Sequence, residues 1–370
     1  MSMDVAFWLA VPAALMWFGL LLAPWRPWST RERLEPSGRS TDVDLSGITV
    51  LIPARNEAEV IAATLSSLQG QGHGLRIVVV DDQSDDGTAQ IARGFSNVEV
   101  LSGQPLPSGW AGKLWALEQG LGPVTTPMTL LLDADIALEP GLLAALVAHK
   151  RQRGAHFVSL MADLRRTSNW DRLLLPAFVY FFKLIYPFQL SNSSFRHVAA
   201  AAGGCILVDT AALKSVGAFG CLRDALIDDC TLARRVKDGG YRLWTGLSRG
   251  VISLRPYGDL KAIHEMVARS AFTQLRYSTP LLLFVTALFA AAYWLPLAAL
   301  FMGSPLALAA LLAMAVAYVP TLRYYGLSPL WAVAMPLIGA LYLAMTWSSA
   351  IRYWRGIRSK WKNRTYEVPS

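Results

Sequence analysis

Met128-Thr129-Leu130-Leu131-Leu132-Asp133-Ala134-Asp135 is an apolar run that empties into two acids. In an extended segment alternate side chains share a face, so Asp133 and Asp135 converge on one point. Two upstream stretches have the same build. Residues 48–52 end in Pro53-Ala54-Arg55-Asn56-Glu57, and Arg76-Ile77-Val78-Val79-Val80 ends in Asp81-Asp82-Gln83-Ser84-Asp85-Asp86-Gly87-Thr88. Helical patterns run over 58–69, 87–95 and near 113–120, with a further short strand over 98–101. β-type runs that alternate with helices predict an α/β domain. Its sheet is mostly parallel and Rossmann-like, covered by helices, with ligands at the carboxyl ends of the strands.

Around this domain the chain turns apolar. It has 370 residues, 54% hydrophobic and 16% charged, too apolar for an ordinary soluble enzyme and too charged to be membrane throughout. Residues 5–25, 277–322 and 324–351 carry no charged side chain, and about 20 apolar residues suffice for one helical span. Residues 1–26 read as a retained anchor: Asp4 stands where a signal peptide has a basic region, and Leu20-Leu21-Leu22-Ala23-Pro24 offers no cleavage site. Trp8, Trp17, Trp25 and Trp28 suit interfacial belts, and Arg26, Arg31 and Arg33 place the following domain in the cytoplasm. Residues 27–46, with Pro36, Ser37, Gly38 and Ser40, read as a linker.

The catalytic-type domain then covers 47–255. Within it, 173–190 holds one charge, Lys183, together with Pro176, Pro187 and many aromatics, which suits an interfacial helix; a span is the alternative. Residues 256–278 read as an amphipathic interfacial helix, 279–351 as two to three spans, and 352–370 as a basic tail with six Lys and Arg. Three spans after a cytoplasmic domain put that tail outside, against the positive-inside tendency, so either one segment is re-entrant or the tendency fails. The net charge of +8 lies scattered or at membrane borders, which favours anionic lipid headgroups and not nucleic acid. Cys205, Cys221 and Cys230 lack C-x-x-C spacing, so neither a disulfide framework nor a zinc site is expected.

The chemistry sits in the acids. Asp133 and Asp135 form a natural Mg2+ or Mn2+ site when diphosphate oxygens complete the shell, because Mg2+ seldom takes a full cage from protein; a solvated acidic turn is the plain alternative. Asp81 and Asp82 offer acceptors for a uracil imide or ribose hydroxyls, while Asp86 or Thr88 serves the following helix. Pro53, Arg55 and Glu57 lie at the carboxyl edge beside a helix N-terminus, which favours anions; Glu57 is alternatively a first-turn acid. In Leu106-Pro107-Ser108-Gly109-Trp110-Ala111-Gly112-Lys113 the glycines admit a ligand and Lys113 supplies a point charge for a diphosphate, without P-loop spacing. Ala225-Leu226-Ile227-Asp228-Asp229-Cys230 opens a helix with two acids, either a catalytic base or helix-terminal charge.

These motifs, taken in order, resemble the family-2 inverting glycosyltransferases of GT-A fold, over about 47–244. P-A-R-N-E, V-D-D-Q-S-D-D-G-T, G-K-L-W-A-L, L-L-L-D-A-D and D-D-C-T-L-A-R-R carry the likeness. The spans and the P-L-P-S-G-W-A-G-K loop are most similar to bacterial hopanoid-associated glycosyltransferases, with ceramide glucosyltransferases more distant. The resemblance implies that Asp81 and Asp82 hold base and ribose, that Asp133 and Asp135 hold ribose, metal and diphosphate, and that Lys113 holds diphosphate. It implies Asp229 as the base, with Asp228 where Glu is usual, and Gly203 and Gly204 as the floor of the acceptor pocket. Thr273-Gln274-Leu275-Arg276-Tyr277 stands where the family often has Q-x-x-R-W, making Arg276 a diphosphate contact; Thr273 replaces the glutamine. His264 is either a third metal ligand or a surface histidine.

The expected function is transfer of a sugar from a nucleotide-sugar donor, a UDP-sugar first, to a membrane lipid such as a hopanoid, in the bacterial inner membrane. The rivals are a polyprenyl-phosphate sugar synthase, a polysaccharide synthase and a non-catalytic sugar-nucleotide-binding protein.

Overall fold

The computed structural model describes residues 2–36, 38, 43–223, 227–357, 360–361 and 364–365. Ser37 and Ser40 of the linker, Ala225 and Leu226 of the acidic motif, and most of the tail beyond Ile357 lie outside the described residues. The chain divides into two compact units.

One unit comprises Glu32–Arg165 and Leu190–Pro256, with the tail from Arg358. Its core is an eight-stranded sheet of β1 (Ile48–Ala54), β2 (Arg76–Asp81), β3 (Val98–Ser102), β4 (Met128–Leu132), β5 (Ile136–Leu138), β6 (Phe157–Asp163), β7 (Cys205–Asp209) and β8 (Leu243–Ser253). The order is β3-β2-β1-β4-β7-β6-β8-β5. Every residue of β1 is buried and all but the first of β2 and β4 are, as expected of strands covered on both faces. β3, β2, β1 and β4 are parallel, as are β6 and β8. The pairings β4·β7, β7·β6 and β8·β5 are antiparallel.

The sheet is therefore the mostly parallel α/β sheet expected, but mixed in its second half. Antiparallel β7 pairs Cys205 with Leu132, and antiparallel β5 pairs Ile136 with Ser253. Both reversals bring distant chain to the carboxyl end of β4. The described part of the linker is laid along β8, where Leu34 N donates to Leu247 O at 2.9 Å and Leu247 N to Glu32 O at 2.9 Å.

The helix Gly112–Leu121 covers β1 and β2 through Gly120, where an added Cβ would lie 2.2 Å from Leu51 Cδ1 and 2.6 Å from Val80 Cγ2. Gly120→Ala is expected to cost about 1–3 kcal/mol through overpacking, read as a lowered Tm of the detergent-solubilised protein. An unchanged Tm overturns this packing account.

The other unit comprises Met1–Arg31, Arg166–Gln189 and Tyr257–Ile357. Among the described residues it holds four helices long and apolar enough to cross a membrane: Met3–Leu22, Thr279–Phe301, Pro305–Tyr324 and Pro329–Trp354. In the first, Ala6, Ala10, Ala13 and Trp17 recur at helical spacing and are buried, while Trp8, Leu15 and Leu22 are exposed. Small residues let this helix approach Pro305–Tyr324 closely, and Trp17 Nε1 donates to Ala292 O at 3.0 Å.

The segment read as an interfacial helix over 173–190 forms the helix Asn169–Ile185, begun by a Ser168/Asp171 capping box and ended before Pro187. It packs within this unit, where Tyr342 donates its hydroxyl to Leu174 O at 2.8 Å. The stretch 256–278 contains the helices Leu260–Ala268 and Ala271–Gln274, and Arg352 forks onto Glu265 with two contacts of 2.6 Å.

Candidate functional site

The carboxyl ends of β1, β2 and β4 open on the same edge of the sheet, because the three strands are parallel neighbours. Between β1 and β2 the loops lock each other. Asn56 and Gln83 take left-handed backbone at φ 51 and 58. Asn56 N donates to Ser84 Oγ at 3.0 Å, and Asp85 N to Asn56 Oδ1 at 3.1 Å. Asp86 accepts from Ala58 N at 2.9 Å and Thr88 N at 3.0 Å and so ties the loops together, while the N-cap expected of Asp86 or Thr88 is instead Gly87, without a side-chain cap. The network leaves Asp81 and Asp82 at the end of β2. Asp82 is fully buried and its carbonyl accepts from Arg55, whose guanidinium also stands 3.6 Å from the Asp82 carboxylate. Asp81 is buried too, and its Oδ1 has no hydrogen-bond partner among the described residues. A buried acceptor left this way costs about 1–3 kcal/mol, so it suits a ligand's N–H or O–H.

At the end of β4 each acid meets a different cation. Lys113 Nζ lies 2.7 Å from Asp133 Oδ1 and 4.0 Å from Asp228 Oδ2. Lys113 stands in the first turn of its helix, where a cation opposes the macrodipole; the carboxylates and not the helix hold it there. Burial pulls the Lys113 ammonium pKa down, but Asp133, then Asp228 and Asp229, outweigh that and hold it above its ordinary value. Asp133 is pushed up by burial, with Asp135 and Asp228 adding and Lys113 opposing. Its side chain keeps 32% of its surface, so it floors a cleft open to ligand and is not sealed in a core.

Asp135 pairs with a residue that sequence reasoning missed. Arg255 Nε lies 3.2 Å from Asp135 Oδ2, and its Nη2 lies 2.6 Å from Glu57 Oε2. Antiparallel pairing of β5 with the end of β8 brings it there, and Leu254 N donates to Asp135 O at 2.7 Å. In the sequence its only signal is a basic residue at a strand's exit, in Ser253-Leu254-Arg255-Pro256.

The third group comes from the reversed strand and the acidic helix. Asp133 N donates to Gly204 O at 3.1 Å, which sets Gly203 beside the end of β4. Gly203 N donates to Asp229 Oδ2 at 2.9 Å, and Cys230 N to Asp229 Oδ1 at 2.7 Å. A Cβ on Gly203 would sit 3.4 Å from Lys113 Nζ and 3.5 Å from Asp229, so the glycine keeps that approach clear. Asp229 is pushed up to about 6, by burial first and then by Asp228, against Cys230 N, Lys113 and Gly203 N. Pro53, Lys113, Asp133, Gly203, Asp228 and Asp229 line a cavity of about 20 Å³, roughly the room a single water needs.

The structure thus brings together Pro53, Lys113, Asp133, Gly203, Asp228 and Asp229, with Asp135 and Glu57 joined through Arg255. Arg276 belongs to the other unit, where it and Tyr277 take left-handed backbone at φ 52 and 55, and Tyr277 stacks on Tyr353 at 4.4 Å. His264 is in that unit as well, 3.8 Å from Glu265.

Among the described residues no group of three or more His, Cys, Asp or Glu is set to hold a metal ion. What the chain offers is the hard-oxygen pair Asp133 and Asp135, each already beside a cation. That donor set fits Mg2+ or Mn2+ completed by diphosphate and water.

Residues 49–217 match glycosyl transferase family 2. Among curated relatives, the 4,4'-diaponeurosporenoate glycosyltransferase of Staphylococcus haemolyticus (strain JCSC1435) is 33% identical over 116 residues, 30% of this chain and 31% of that protein. The probable glycosyltransferase YdaM of Bacillus subtilis (strain 168) is 26% identical over 236 residues, 60% of this chain and 54% of that protein. The matches therefore span about a third to a half of these relatives. The solved mannosyltransferase PcManGT from Pyrobaculum calidifontis, in complex with GDP-Man and Mn2+, superposes with a TM-score of 0.51 at 21% identity, over 95% of this chain and 98% of that one. At that identity the likeness is one of fold, and the fold is GT-A-like. The four long apolar helices indicate membrane association.

Proposed function

We propose that the protein is an inverting glycosyltransferase that moves a sugar from a nucleotide-diphosphate donor to a hydroxyl of a membrane lipid, on the cytoplasmic side of a bacterial inner membrane. The observation that carries this reading is the convergence of Lys113, Asp133, Gly203 and Asp229 in one cleft at the carboxyl edge of the sheet. Asp81 and Asp82 take the base and ribose, beside Pro53, Arg55 and Glu57. Lys113 binds the diphosphate, and Asp133 and Asp135 hold Mg2+ or Mn2+. When bound, that ion neutralises charge on the leaving diphosphate.

Asp229 takes the proton of the acceptor hydroxyl as its oxygen attacks the anomeric carbon from the face opposite the leaving group. The bond to the diphosphate oxygen breaks, so the configuration inverts and no covalent enzyme intermediate forms. Asp228 raises the basicity of Asp229, and Gly203 and Gly204 let the acceptor approach. The four long helices support a lipid acceptor. The likeness of the spans and of the P-L-P-S-G-W-A-G-K loop to hopanoid-associated glycosyltransferases favours a hopanoid, and the staphylococcal relative is named for diaponeurosporenoate. Arg26, Arg31 and Arg33 after the first helix support the cytoplasmic side.

The test is release of nucleoside diphosphate from UDP- and GDP-sugars by detergent-purified protein, with hopanoid, carotenoid-acid and polyprenyl-phosphate acceptors added in turn. Release that depends on a hydroxylated lipid supports the reading, and release that depends only on a carboxylated one overturns the hydroxyl acceptor and the base role of Asp229. Transfer to polyprenyl phosphate alone overturns the acceptor class, and nucleotide binding without turnover overturns the enzyme.

A further inference from the structure

Arg255 joins two acids delivered by different strand ends, Glu57 after β1 and Asp135 after β4. Its side chain keeps 42% of its surface, whereas that of Glu57 keeps 10%, so a buried acid anchors one edge of an accessible fork. Lys113 serves Asp133 at 2.7 Å as Arg255 serves Asp135 at 3.2 Å. Each carboxylate of the candidate metal pair thus has its own basic partner. The two cations differ in kind. Lys113 is a point charge, and Arg255 is a planar fork that matches phosphate oxygens bidentately and cannot lose its proton. A divalent ion on Asp135 meets a like charge already in hydrogen-bond reach of the same carboxylate.

We propose that Arg255 competes with the divalent ion for Asp135 and, on yielding that carboxylate, binds the donor's diphosphate. This deepens the donor site proposed above and rests on that reading. Arg255 is a binding residue here: it keeps the acid pair neutralised before the donor arrives and turns to the diphosphate when metal and nucleotide bind together. A partner that merely orients a ligating carboxylate behaves in the opposite way, since its loss weakens metal binding, typically about 10–100-fold.

The experiment titrates Mn2+ into nucleotide-free protein, and UDP and GDP into protein at saturating Mn2+, for the parent chain, Arg255→Gln and Arg255→Lys. Circular dichroism checks the fold of each. Arg255→Gln is expected to bind Mn2+ about tenfold more tightly, because a like charge is gone, and the nucleoside diphosphate about tenfold more weakly, because a charge-assisted fork is gone. Arg255→Lys keeps the charge, so it is expected to hold Mn2+ like the parent and to bind the diphosphate between the other two. Weaker Mn2+ binding in Arg255→Gln makes the residue an orienting strut and overturns the proposal, as does no change in either affinity. A parent chain that takes up Mn2+ but neither UDP nor GDP brings down the donor-site reading itself, an outcome distinct from a failure of Arg255 alone.

Discussion

Asp229→Asn is expected to lower sugar transfer by about 10²–10⁴-fold, the usual contribution of a positioned general base, while nucleotide binding persists. The amide keeps the size and shape of the carboxylate, but its single oxygen can accept from only one of Gly203 N and Cys230 N, at 2.9 and 2.7 Å, and it cannot take a proton. The fold is expected to survive. Burial and Asp228 hold the Asp229 carboxyl above the ordinary value of 3.8, at about 6. A raised folded-state value means that stability is lost as pH rises through that interval. An uncharged amide removes this loss but forfeits one of the two N–H contacts, which offsets it, so the Asp229→Asn chain should melt close to its parent at neutral pH.

The same shift sets the pH profile of the parent enzyme. Only the ionised carboxylate accepts a proton, so the rate should fall as pH drops through about 6 and be level above it. Lys113 is one of the groups that hold Asp229 down, and Lys113→Met should therefore move the acid limb of any residual activity to higher pH. Full turnover in Asp229→Asn, or an acid limb that ignores Lys113, removes Asp229 from the role of base.

Chelation of divalent ions should abolish turnover, and Asp135→Asn should lower it by about 10²-fold or more even at high Mn2+. The expectation follows from charge. The leaving diphosphate enters a cleft that already contains Asp133, Asp228 and Asp229 around one ammonium, Lys113. A metal Lewis acid contributes several kcal/mol to stabilising such charge, and each 1.36 kcal/mol is a factor of ten in rate. With Asn at 135 the pair loses half its anionic donors, and Arg255 loses the contact at 3.2 Å. The measurement is nucleoside-diphosphate release with chelator, then with Mn2+ or Mg2+ restored. Turnover that persists in chelator would falsify metal dependence and leave Lys113 and Arg255 as the groups that neutralise the diphosphate.

Much of the candidate site at the ends of β1, β2 and β4 was legible because its signals are local. Met128–Leu132 is a strand with the bounds read from its apolar run, and β1 and β2 extend only one or two residues beyond theirs. A buried strand must be apolar, and polar residues must begin where it meets the cleft, so strand, strand end and candidate ligand are written within a few consecutive residues. The apolar spans are legible for the same reason: length and composition alone meet the demand of the bilayer.

The contact of Gly203 with Asp229 and the charge pairing were decided only by tertiary structure. The helix-terminal acids Asp228 and Asp229 read equally well as local helix stabilisers, and nothing near Arg255 announces its partners 120 and 198 residues away. Strand register places the partners of both. Antiparallel β7 sets Cys205 across from Leu132 and so brings Gly203 to Asp229, while antiparallel β5 sets Ile136 across from Ser253 and so brings Arg255 to Asp135. Hydropathy reports which face of a strand is buried over a few residues. Direction and register come from hydrogen bonds between segments far apart in the chain, which a local pattern does not encode.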